Sequence, residues 1–118
     1  MGFNPHYSAD DLRSVKYSMY LAKHHVKLAM SYHKDRNYEV AANQLGNAVA
    51  KTRENHPNSA DIPPLIHTRC HEIYGAAHLL YTMLANEPQN VSQQILGVLH
   101  DKIFALHLGL EHEVAVYS

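Results

Sequence analysis

The stretch Pro64–Leu84, PLIHTRCHEIYGAAHLLYTML, decides the fold. Within it Ile66, Cys70, Ile73, Ala77, Leu80 and Leu84 recur at steps of four, three, four, three and four, the repeat of one helical face. Leu65, Ala76, Leu79 and Met83 flank this stripe on one side, and His67, His71, Tyr74, His78 and Tyr81 on the other. Only Thr68, Gly75 and Thr82 form a clearly outward line. A helix that needs cover on so much of its circumference is central in a bundle or packs on another subunit.

Working outward, the same repeat runs through the rest of the chain. Ser8 can cap a first helix reaching Lys34, with Asp10 and Asp11 in the first turn, where the helix dipole favours negative charge. Its inner arc is Val15, Tyr17, Met19, Leu21, Ala22, Val26, Leu28, Ala29 and Tyr32, and Lys16, Lys23, Lys27 and Lys34 share the other face. Asp35, Arg36 and Asn37 are so short a break that the second helix must return antiparallel. That helix turns Val40, Ala41, Leu45, Ala48 and Val49 inward. The segment NHPNSADIPP, with three prolines, reads as a loop. Asn86, Glu87 and Pro88 make the last turn, and a fourth helix buries Ile95, Leu96, Leu99, Ile103, Leu106, Leu110 and Val114. Period-two alternation appears nowhere. The expectation is one all-α domain over residues 1–118, an up-down-up-down four-helix bundle with helices at about 8–34, 37–55, 63–86 and 88–115 and a loop over 55–63.

Composition narrows the class. A chain of 118 residues can bury roughly two-thirds of its unfolded surface, enough for its own core. The lone Cys70 makes no internal disulfide, the first thirty residues are interrupted by charge, and no run approaches a membrane span, so a soluble cytoplasmic protein is expected. Net charge is −1, yet residues 1–53 carry +4 and residues 54–118 carry −5. So mild a balance argues against a duplex nucleic-acid partner.

Leu28, Ala29, Tyr32, Tyr38, Ala41, Leu45 and Ala48 have a spacing that resembles one tetratricopeptide repeat, in which small residues permit a close helix crossing. His25, Ala29, Arg36 and Arg53 stand where that repeat has Trp, Gly, Gly and Pro, and no second copy follows. The whole chain is weakly similar to the HEPN-type four-helix bundles, a family containing ribonucleases and inactive relatives. Active members pair an Arg with a His about four to six residues later. Here Arg69 meets Tyr74 at that spacing, so the resemblance implies a fold and not the ribonuclease chemistry.

Histidine is unusually frequent, at 11 of 118 residues. His67 with His71, and His107 with Glu111, are each one helical turn apart, the spacing of a metal-ligating pair, and two facing helices could complete a divalent site. Half-buried boundary histidines are the simpler reading, and no cofactor is otherwise expected. For a nucleotide or other small anion the candidates are Lys23, Lys27 and Arg69 for charge and Tyr74 and His78 for stacking, with Tyr20 available beside the lysine face. Leu79, Met83, Phe104 and Leu108 are candidate interface residues. No Gly-rich phosphate loop, nucleophile elbow or acid pair appears, so no catalytic residue is named. The expected function is a non-enzymatic interaction module acting through a protein interface, as a homodimer or higher oligomer. A ligand-binding protein with a Tyr/His-lined pocket is the alternative.

Overall fold

A computed structural model of the chain describes residues 7–54 and 62–118. It contains four α-helices, α1 (Ala9–Lys34), α2 (Tyr38–Glu54), α3 (Pro64–Asn86) and α4 (Gln93–Tyr117), and a 3-10 turn over Pro88–Asn90. Among the described residues there is no strand. Each helix packs on its neighbour in the chain, and α4 returns to pack on α1, closing an up-down-up-down bundle of 48 × 20 × 18 Å. The seams are unequal. Helix α1 meets α2 and α4 along most of its length, whereas α3 and α4 touch over the shortest stretch of the four adjacent pairs. No helix among the described residues is long and apolar enough to cross a membrane. The expected loop over 55–63 lies, up to residue 61, outside the described residues.

Two helices, α1 and α4, begin at a serine whose hydroxyl satisfies free N–H groups, and α3 begins at a proline. Ser8 Oγ accepts from the backbone of Asp10 and Asp11 at 3.2 and 3.4 Å, and Pro64 starts α3 where a missing N–H costs nothing. The fourth helix starts later than the sequence suggests. Val91 is extended at φ −106° and ψ 123°, and Ser92 Oγ accepts from Ile95 N at 3.1 Å, so this cap and not Pro88 begins α4.

The turn between α1 and α2 is a Schellman motif. Asn37 N donates to Tyr32 O at 2.9 Å and Arg36 N to His33 O at 3.0 Å, which closes the last carbonyls of α1. Arg36 has φ 61°, the left-handed region where a Cβ is unfavourable. Replacing Arg36 with Gly should therefore stabilise the chain by about 1 kcal/mol, partly offset by the freer unfolded backbone. The readout is a thermal melt rising by a few degrees; an unchanged or lower midpoint would contradict it.

The core follows the helical repeat closely. Ile66, Cys70, Ile73, Ala77, Leu80 and Leu84 are all buried in α3, the whole of the stripe that decided the fold. Ala22, Ala29, Ala41 and Ala48 are fully buried where α1 and α2 approach one another. Two positions depart from expectation. Tyr17, placed on the inner arc of α1, is 63% exposed, because it lies roughly 140° around the helix from Ala22, beyond the cover of α2 and α4. Ile95, placed inside α4, is 42% exposed because it sits on the edge facing the thin α3–α4 seam.

A polar clamp joins the end of α1 to the start of α4. His33 Nε2–H donates to Val91 O at 2.8 Å, and His33 Nδ1 accepts from Gln93 Nε2 at 2.7 Å. Gln93 Nε2 also donates to Met30 O at 2.8 Å, which fixes the amide's orientation. The antiparallel register of α1 against α4 is thereby pinned at one end.

Candidate functional site

Helical spacing brings the histidines together only in pairs. The His67 and His71 rings stack at 5.9 Å, and Tyr74 lies 6.0 Å from His78 on the same flank of α3. This flank turns toward α2, where Asn43, Gly46, Asn47, Val49, His78 and Tyr81 line a depression. Gly46 lets the Tyr81 ring pack closely on α2, because a Cβ there would stand 3.0 Å from Tyr81 Cε1. His107 faces the other way, toward α1. Its Nδ1–H donates to Lys16 O at 3.3 Å, and its Nε2 lies 3.5 Å from Glu111 Oε1.

The sequence-predicted metal set is therefore split. His67 and His71 belong to the α2–α3 side and His107 with Glu111 to the α1–α4 side. Among the described residues no three His, Cys, Asp or Glu side chains are grouped to hold one ion. The predicted ligand set is split as well. Arg69 lines a cleft between α3 and α4, Tyr74 and His78 lie on the opposite flank of α3, and Lys23 and Lys27 sit on α1. Five residues along a helix is roughly 140° of rotation, so Arg69 and Tyr74 cannot serve one pocket.

Two other surfaces emerge. Between α3 and α4 lies a cleft lined by Arg69, Glu72, Ile73, Lys102, Ala105 and Leu106. On α3, Leu65 and Leu79 share the flank of Arg69 and Glu72 and are 62% and 59% exposed, and Met83, half-buried, continues it. On α4, Ile95, Val98 and Val116 share the flank of Lys102 and Ala105 and are likewise exposed. Among the described residues, seven of the nine exposed large hydrophobics belong to α3 and α4, and the other two are tyrosines of α1. The predicted interface set divides here. Leu79 and Met83 border the α3–α4 seam, whereas Phe104, roughly 120° around α4 from Val98, borders α1, and Leu108 is exposed one turn further along α4.

The second surface lies between α1 and α4. Arg13, Lys16, Tyr17, Tyr20 and His107 line a shallow depression of about 340 Å³. Tyr20 is 5.9 Å from the His107 ring, and the Lys23 ammonium stands 5.3 Å from the Tyr20 ring and 4.8 Å from the Phe104 ring, both within cation–π range. Two carboxylates border it, Asp10 at 2.7 Å from Arg13 and Glu111 at 3.8 Å from Lys16. Sequence reasoning missed Tyr17 here by turning it inward. The available signal was that Leu12–Lys34 holds five Lys and Arg and no acidic residue.

Comparison with protein-family models, characterised proteins and solved structures finds no match to this chain. The tetratricopeptide and HEPN resemblances thus have no support beyond the shared helical architecture.

Proposed function

We propose that the chain is a helical interaction module that pairs with a second copy of itself through the outer face of α3 and α4. One observation carries the reading: the exposed aliphatic side chains Leu65, Leu79, Ile95, Val98 and Val116 border a single seam. Exposed aliphatic side chains gathered along one seam, with charged groups among them, suit an interaction face on a water-exposed domain. A second copy suits the face because it holds Arg69 and Lys102 beside Glu72, opposite charges that a two-fold axis can set against one another. A long side of the molecule measures 48 by about 20 Å, room for the roughly 800 Å² per partner of an ordinary stable interface.

Leu79→Glu and Val98→Glu test the reading. Both side chains are about half exposed or more in the single chain, so the substitutions cost little unless a partner covers them. Light scattering should give twice the chain mass for the wild type and a single-chain mass for either variant, with helicity retained. A wild-type monomer at high micromolar concentration would overturn the proposal.

A further inference from the structure

Helix α1 offers a surface unlike the rest of the molecule. From Leu12 to Lys34 it carries no carboxylate, and Lys16, Tyr20, Lys23, Lys27 and Lys34 recur at steps of four, three, four and seven, one stripe of the helix. Tyr20 stands within that stripe at 48% exposure, and Tyr17, 63% exposed, stands beside it. Two exposed rings beside several cations give this face a stacking surface and positive charge together. The Lys23 ammonium is drawn over the Tyr20 and Phe104 rings, so the aromatic surface and the positive charge form one patch. At about 340 Å³ the depression beside it falls within the size range of small-ligand sites, roughly 300–1,000 Å³.

We infer that the α1–α4 depression is a binding site for a nucleotide unit, a planar base stacked on Tyr17 and Tyr20 with its phosphate held by Arg13, Lys16 and Lys23. The two groups of the ligand answer two features of the patch. Every base has a π-face that an exposed tyrosine can stack on without regard to sequence. For the phosphate, the acidic partners of Arg13 and Lys16, Asp10 and Glu111, are 90% and 50% exposed and hold them only weakly, Arg13 also donates to Ser118 Oγ at 3.1 Å, and Lys23 rests over the Tyr20 and Phe104 rings. An aliphatic protein partner would satisfy the rings and strand the lysines; a bare anion would do the reverse. His107, held by Lys16 O at 3.3 Å, forms the depression's inner wall and presents its ring toward Tyr20. The stripe continues from Lys16 to Lys34 over about 27 Å of helix, so the unit is either a free nucleotide or one residue of a single strand running along α1.

The test uses the full chain and three probes, each titrated by calorimetry or fluorescence anisotropy: adenosine 5′-monophosphate, a short oligothymidylate, and inorganic phosphate. Phosphate alone should bind at least about tenfold more weakly than the better of the two base-bearing probes, since stacking on an aromatic side chain is worth about tenfold or more. Binding of the mononucleotide identifies a free nucleotide as the ligand. Binding of the oligonucleotide alone, with affinity falling steeply as salt rises, identifies a single strand. The Tyr17→Ala, Tyr20→Ala double variant should lose about tenfold or more, and Lys16→Gln with Lys23→Gln should weaken binding and flatten the salt dependence. All four side chains are at least partly exposed, and circular dichroism melts confirm that the variants stay folded. The inference is overturned if neither base-bearing probe binds, if phosphate binds equally well, or if the folded tyrosine variant binds as the wild type does. Repeating the titration in Leu79→Glu separates this result from the fate of the proposed dimer, because that residue lies on α3.

Discussion

Ile103→Ala should lower the stability of the chain by about 3–4 kcal/mol, while Ile95→Ala, the same substitution two turns earlier on the same helix, should cost about 1 kcal/mol or less. Ile103 is fully buried, so truncation removes apolar contacts on every side and leaves a cavity. Ile95 is 42% exposed at the thin α3–α4 seam, so part of its surface already meets water. Helix propensity changes equally in both and cancels in the comparison. Urea unfolding with an unchanged denaturant slope measures the two losses. The comparison belongs in the Leu79→Glu background, where a second copy cannot cover Ile95. Equal losses there would show that α3 and α4 close more tightly than described.

Cys70 should resist thiol reagents in the folded chain, with labelling at pH 8 at least about 100-fold slower than in the unfolded chain. The side chain is 2% exposed within the α3 stripe, and desolvation by burial raises its thiol pKa from 9.0 to about 11. Two pKa units leave about a hundredfold fewer thiolates, and burial hinders the reagent further. The same shift makes stability depend on alkali. Below pH 9 the thiol is protonated in both states and its contribution is fully present. Between about pH 9 and 11 the unfolded chain loses the proton that the folded chain keeps, so stability falls as pH rises, by an amount on the order of 2 kcal/mol. Cys70→Ala should lack this part of the alkaline slope. Stoichiometric labelling of the folded protein within seconds would contradict the burial.

The architecture was legible because its evidence is redundant. Six apolar positions of α3 each satisfy the same repeat, and one misreading among them would not have changed the face. Tyr17 was misplaced because a phenol suits both settings: its ring pairs with the core, its hydroxyl with water, and periodicity alone cannot choose. At the start of α4, Pro88 and Ser92 both carry start signals, and only the extended Val91 between them decides in favour of Ser92. Arg36 carried no such signal: Asp35, Arg36 and Asn37 read only as a short polar break, and the positive φ at Arg36 follows from how the chain reverses there.

Sites were harder to read. The turn spacing of His67 with His71, or of His107 with Glu111, is a property of one helix, and each pair does form. Whether two pairs meet depends on which flank faces which neighbour, and that follows from how the bundle closes, which no local pattern encodes. Gly46 beneath Tyr81 is of the same kind, a close approach between α2 and α3 without a signature in either segment. Only the acid-free run of α1 was open to inspection from composition.

The shortness of the seam between α3 and α4 has a consequence for motion. Helix α1 is gripped along both sides, and His33 with Gln93 ties its end to α4, whereas α3 depends chiefly on α2. Amide protons of α3 should then exchange with solvent through a partial opening that leaves α1 and α4 associated, at a lower free energy than global unfolding. A second copy seated against Leu79 and Val98 would supply the missing grip, so dimerisation should slow exchange in α3 more than in α1.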